Sequence, residues 1–218
     1  MNTGETAAMN HRNRRHRLIA AIGGACITAI ALIGCMSADT EPAPSTSMTT
    51  ALEVAPSRVQ WQAFHGVDLP VAQQGPREGG GAAVSGFDRS PAGAALAAIH
   101  AAVRISVAPD GQWALIGQRM IAPGPGRDTW ASARAQISIT SPAAQPPKVL
   151  GYTVIRYGPD SAVIDIYSLH ADNSLTRHRT RVVWQYEDWR LLLPEHPGEP
   201  LVVAVTAPPV NMIALTGR

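Results

Sequence analysis

Val182-Val183-Trp184-Gln185-Tyr186-Glu187-Asp188-Trp189-Arg190-Leu191 is the stretch that decides the fold class of this chain. β-Branched and aromatic residues run up to Glu187-Asp188 and resume directly after it, the pattern of two strands joined by a tight turn. The first of the pair extends back to Leu175, and the second runs from Trp189 to Leu193. Upstream, Ala171-Asp172-Asn173-Ser174 reads as a turn preceded by a strand from Ala162 to Leu169. That strand is apolar on both faces at Val163, Ile164 and Ile166, as a central strand requires. Pro159-Asp160 separates it from another strand, Val149 to Tyr157, and Leu201 to Val205 either closes the sheet or trails across it.

The region before Pro142 has a different period. Ser90-Pro91 is a helix start, with Ser90 as N-cap and Pro91 where its missing N–H costs nothing. The helix continues through Ala94, Ala95, Leu96, Ile99, Ala102, Val103 and Ile105, and its small apolar face suits close approach to a sheet. His100 lies off that stripe and reads as exposed. Asp110 is placed to cap a second helix through Trp113, Leu115, Ile116 and Met120, which Gly124-Pro125-Gly126 breaks. Trp130, Ala133 and Ile137 fall at helical spacing in a third helix from about Asp128 to Ile137. Arg58 to His65 is a first strand, ended by Leu69-Pro70. Gln73 to Gly86, with Gly79-Gly80-Gly81, has no phosphate-cradling ending and reads as a surface loop. Helices followed by an antiparallel meander make the chain α+β, with N-terminal helices packed on one face of a curved antiparallel sheet.

The N-terminus supplies an address. Arg12, Arg14, Arg15 and Arg17 precede an apolar run from Leu18 to Gly34, and Leu32-Ile33-Gly34-Cys35 reads as a lipoprotein processing site with Cys35 as the lipidated residue. The alternative is an uncleaved anchor, since Leu18 to Met36 is near the lower limit of about 17–25 residues for a span. Arginines before the run and Asp39 and Glu41 after it give the same topology either way, with the domain on the extracytoplasmic face of the cell membrane. Arg14-Arg15-His16-Arg17-Leu18 fits a twin-arginine export signal only weakly. Residues 36–57, rich in Ser, Thr, Pro and Ala, cannot bury enough apolar surface to fold and read as a disordered tether. The organisation is therefore a signal peptide or anchor at 1–35, the tether at 36–57, one α+β domain at 58–207 and a C-terminal tail at 208–218.

The formal charge of +2 belongs to the export segment. Without the four leading arginines and Glu5, 14 basic residues face 15 acidic ones, so the electrostatic case for nucleic-acid binding disappears. The two cysteines, Cys26 and Cys35, both lie in the export segment, which leaves the domain no internal disulfide.

The form V-x-W … D-W-R-L at 182–191, together with the alanine-rich first helix, resembles nuclear-transport-factor-2-like domains, which implies a cone-shaped domain with a cavity at its open end. A closer resemblance spans about Val59 to Val205. It rests on Gly66-Val67-Asp68-Leu69-Pro70, Gly75-Pro76-Arg77, Ala83-Val84-Ser85-Gly86-Phe87, Pro91-Ala92-Gly93-Ala94-Ala95-Leu96-Ala97-Ala98, Ala122-Pro123-Gly124-Pro125-Gly126-Arg127-Asp128 and Asp188-Trp189-Arg190-Leu191. These resemble an uncharacterised family of secreted or membrane-anchored actinobacterial proteins associated with integrative and conjugative elements. That family carries no established activity or catalytic residues, and Cys35 departs from the simple anchor usual in it.

Little in the chain declares a reaction. His170 and His178 flank a hairpin turn without a third ligand in register, a poor zinc site, so neither a metal nor another cofactor is expected. Ser85 lacks a nucleophile elbow. Trp113, Trp130, Trp184 and Trp189 read as core. Asp165, an acid in an apolar strand, shares a face with Val163 and Tyr167, and Asp165 and Tyr167 are the candidate pocket residues. A buried carboxylate beside a tyrosine suits proton abstraction; the competing arrangement is an ion pair with Arg179 or Arg181 on the neighbouring strand. The expected function is a non-enzymatic, membrane-tethered scaffold or accessory component of a conjugation or secretion apparatus, with protein partners in an envelope complex. Two alternatives stand beside it: a small-molecule binder or isomerase using the cone cavity, and an envelope-binding lipoprotein.

Overall fold

The computed structural model describes Leu52 and residues 54–215, apart from Pro197 and Glu199. The segment 1–35 with Cys35, and the tether as far as 51, lie outside the described residues. Two strands come first, β1 (Gln60–Phe64) and β2 (Val67–Val71), then three helices, α1 (Pro91–Val107), α2 (Trp113–Met120) and α3 (Pro125–Arg134). Six strands follow: β3 (Lys148–Tyr157), β4 (Ser161–Leu169), β5 (Leu175–Gln185), β6 (Asp188–Leu191), β7 (Val202–Val205) and β8 (Ile213–Ala214). The architecture is α+β.

The six-stranded antiparallel sheet runs β6-β5-β4-β3-β8, and β7 joins it along β5. β5 is long enough to hold two partners in succession, β7 at residues 175–178 and β6 at 182–185. Alternation along β4 separates two faces. Ala162, Ile164 and Ile166 enter the core, while Asp165 and Tyr167 occupy the other face. Register shifts in β3 beside Val149 and Val154 mark bulges, which bend the strand. Between β5 and β6, Tyr186 and Glu187 have φ of 56° and 59°, so the turn is the mirror-image two-residue type, one position earlier than its sequence suggests.

α1 is the centre of the packing. Ser90 caps it, its Oγ accepting from the Gly93 amide at 3.1 Å. A Cβ at Gly93 would lie 2.1 Å from the Asp88 carbonyl oxygen, so only glycine lets the incoming chain lie this close. Every residue from Ala92 to Ala102 is buried, because α1 packs on β3–β6 on one side and on β2 on another.

That enclosure corrects the expectation for His100, which is fully buried rather than exposed. Its Nε2 lies 2.8 Å from the Pro70 carbonyl and its Nδ1 receives Arg104 Nε at 3.5 Å. Arg104 itself is buried, lies 4.1 Å from the Phe64 ring centroid, and donates to the carbonyls of Gly81 and Ala82 at 2.9 and 2.7 Å. The glycine-rich connection is thereby fastened over the helix.

Four further expectations change. Leu69-Pro70 does not end the first strand but forms a second, β2, in which Pro70 pairs with Trp61. A two-stranded sheet tolerates a proline because each strand has an edge free of ladder bonds. Asp110 does not cap α2; its carboxylate accepts from Ser138, the Ile139 amide and Arg134. α3 starts at Pro125, in the segment read as a breaker, since proline at the first helical turn is compatible with the helix. The domain does not end at 207, because residues read as a tail supply β8, which pairs with β3, and the buried Leu215.

Asp188 and Trp189 join the sheet to the chain that enters α1. The Asp188 carboxylate accepts from the amides of Gly86 at 2.9 Å, Phe87 at 3.2 Å and Trp189 at 2.9 Å, and the Trp189 indole donates to the Asp88 carbonyl at 2.8 Å. Removing the carboxylate orphans part-buried donors. Asp188→Ala is expected to cost about 2–3 kcal/mol in urea unfolding, and an unchanged midpoint would refute the clamp.

His100 gives a pH-dependent prediction. Burial pulls its imidazole from 6.5 down to about 3, helped by the Arg104 charge and opposed by the bond to Pro70. The unfolded chain therefore takes up the proton first, so stability present above pH 6.5 is lost as pH falls toward 3. Between pH 6.5 and 5 the wild type should lose about 2 kcal/mol more than His100→Gln. Parallel pH profiles for the two proteins would count against it.

Candidate functional site

The polar face of β4 is built by register. Asp165 lies opposite Thr153 of β3 and Arg179 of β5, and Tyr167 lies opposite Gly151 and Arg177. Asp165, Thr153 and Tyr167 are all buried. Arg179 meets the Asp165 carboxylate through two parallel bonds, Nε to Oδ1 and Nη2 to Oδ2, both 2.8 Å. Arg177 Nε approaches Oδ2 at 3.7 Å. The Tyr167 hydroxyl lies 3.5 Å from Thr153 Oγ1. The acid is thus held in a bidentate pair, a geometry that fixes both oxygens. A proton-abstracting role needs Asp165 without an arginine partner, and here two arginines face it.

A cavity of about 570 Å³ lies nearby, but neither Asp165 nor Tyr167 lines it. Its walls include Ile105 of α1, Ile155 and Val163 of the sheet, Leu191–Pro194 and Leu201. Both odd and even residues of β5 contribute, from His178 to Arg181, so the cavity reaches round the edge of that strand. The edge is open there because β6 has ended and β7 has not yet begun. The backbone at this notch is nonetheless occupied: Arg179 N–H donates to the Leu201 carbonyl at 2.9 Å, and the Arg181 carbonyl accepts from Leu192 at 2.8 Å. α3 holds one wall, since a side chain at Gly126 would meet the Leu193 carbonyl at a Cβ distance of 2.0 Å.

The lining is mostly aliphatic, with no Phe, Tyr or Trp ring and no carboxylate among the described residues. Its polar members are Arg156, Arg179, Arg181, His178 and Thr180. Burial lowers the His178 imidazole, against the opposing pull of Asp165, so the cavity holds it neutral near pH 7.

His170 Nε2 pairs with Thr176 Oγ1 at 3.0 Å, and among the described residues no group of three or more His, Cys, Asp or Glu is placed to hold a metal. Trp189 is buried and stacks edge-on with Trp184 at 5.3 Å, and Trp113 meets Trp130 similarly at 5.9 Å. Among the described residues no helix is long and apolar enough to cross a membrane.

A family model described as Domain of unknown function (DUF8175) matches residues 35–208. The chain belongs to this family. No curated protein and no solved structure matches it. The matched stretch of the DUF8175 domain contains the whole cavity lining, the Asp165 pair and both sides of the Asp188 clamp. The cavity had no signal in the sequence, because it depends on where β5 exchanges one partner for another.

Removing Arg179 leaves a buried carboxylate facing only the longer contact from Arg177. Arg179→Ala should therefore cost about 3 kcal/mol in chemical unfolding and Arg177→Ala about 1 kcal/mol or less. The reverse order would assign the pair's stability to the wrong arginine.

Proposed function

We propose that this DUF8175 protein is a non-enzymatic domain tethered by its N-terminal segment to the extracytoplasmic face of the cell membrane. Its role on this reading is that of a scaffold or accessory component of a conjugation or secretion apparatus, working through protein partners in an envelope complex. The observation that supports the non-enzymatic part is the use made of buried ionisable groups. His100 is bonded to Pro70, Arg104 to Gly81 and Ala82, Arg134 to Ala108 and Ile137, and Asp165 to Arg179. Each of these four groups holds two segments of the frame together and none of them lines the cavity, whose wall carries His178 as a neutral imidazole with no carboxylate beside it in the lining among the described residues. Such groups are where perturbed acids and bases of a catalytic centre are found.

The outer surface favours contact with other macromolecules. Ile155, Leu201, Val202 and Val210 are exposed, the last completely. Ile155 and Leu201 also line the cavity, and exposed apolar surface that is contiguous marks interaction sites. The nuclear-transport-factor-2-like cone is part of the same proposal, supported by α1 lying against a bulged antiparallel sheet. The location rests on the arginine cluster, the apolar run and Cys35.

A photo-crosslinking residue at Val210 of the full chain, used in living cells, tests this reading. Adducts with transfer-channel or envelope-assembly proteins are expected from the membrane fraction. Adducts with the chain alone, none at all, or recovery from the cytoplasmic fraction would overturn it.

A further inference from the structure

We infer that the cavity at the edge of β5 is a binding site for a single-chain anionic amphiphile, an acyl chain ending in a carboxylate. Three features of the site support this. The volume of about 570 Å³ lies within the range of roughly 300–1,000 Å³ of ligand pockets. The lining is mostly aliphatic, from Ile105, Val163, Leu191, Leu193 and Leu201, and the His178 imidazole is its one ring, with no Phe, Tyr or Trp among the described residues, and so it matches a flexible hydrocarbon chain.

The charged side chains lining it have one sign. Among the described residues Arg156, Arg179 and Arg181 line the cavity and no carboxylate does. Arg179 is committed to Asp165, whose buried charge cancels one of the three. Arg156 and Arg181 are exposed, and neither takes part in an ion pair among the described residues. They share one face of the sheet, both being paired in register with Val163 of β4. An acidic head group between them would gain the charge-assisted, forked bonds that guanidinium offers a carboxylate. Thr180 and the neutral His178 supply further hydrogen-bonding groups without adding charge.

A peptide strand is a poorer fit. The backbone groups bordering the notch, the Arg179 N–H and the Arg181 carbonyl, already bond to Leu201 and Leu192, so strand addition has no free partners there. Recognition must come from side chains and shape, which a lipid-like ligand uses.

The test uses the full chain in nanodiscs of zwitterionic lipid, probed with a diazirine-bearing palmitic acid at micromolar concentration. After irradiation, adducts are mapped by peptide mass spectrometry. Labelling is expected on the segment 191–194 or at Leu201, and the matching alcohol probe should label at least fivefold less. The double variant Arg156→Gln/Arg181→Gln, altered only at exposed side chains, should label at least fivefold less than wild type. A probe on the phospholipid itself distinguishes a bilayer-docking face, which would mark Val202 and Val210 instead. Equal labelling by acid and alcohol, equal labelling of wild type and variant, or adducts concentrated outside the cavity would each overturn the inference.

Discussion

The carboxylate of Asp188 is the contact on which the arrangement of helix and sheet depends. It sits at the start of a short strand and gathers the amides of Gly86 and Phe87 from more than one hundred residues earlier in the chain. Burial works against its ionised form and raises its pKa, while the three amides and the Arg190 charge oppose that rise. The neighbouring indole of Trp189 fixes the carbonyl of Asp88, two residues before the cap of α1. Together these bonds set the point at which the helix meets the sheet. Phe87 then lies against the His100 ring at 5.7 Å, and the helix is enclosed by sheet, hairpin and loop at once. Small residues along α1 make that enclosure possible, because they let three layers approach one axis.

The strands after Pro142 were legible because their alternation is regular and the turns on either side of β4 carry Gly, Pro, Asp and Asn. The same reasoning located α1 from Ser90-Pro91. It failed for His100 because helical periodicity assumes one wet face, and α1 has none from Ala92 to Ala102. Proline at 70 and Gly124-Pro125-Gly126 were read as stops, although each is compatible with its element at the position it occupies. Asp110 satisfied the local rule for a cap, yet Arg134, Ser138 and Ile139 offered its carboxylate better partners from another part of the chain. Ile213 and Leu215 were too short a run to signal a strand. In each case a contact distant in sequence outweighed a local preference.

Asp165 illustrates what register alone can tell. Spacing placed it on one face with Tyr167 and opposite arginines, and the ion pair with Arg179 is the arrangement cross-strand geometry allows. The second arginine to approach it is Arg177, not Arg181. The cavity was beyond such reasoning, because its walls come from α1, four strands and the segment after β6.

Arginine does most of the polar work in this domain, and Lys148 is the only lysine in the chain. Arg104 and Arg134 are buried, and each reaches two carbonyls that loops would otherwise leave unsatisfied. A planar fork serves several acceptors at fixed angles, which an ammonium group does less well. The same chemistry has a second consequence at the β5 edge. There Asp165 is buried and taken by Arg179, while Arg156 and Arg181 are exposed beside an aliphatic hollow. The pair that stabilises the sheet thus also leaves its edge positive, and the selectivity proposed for the cavity follows from the way Asp165 is neutralised.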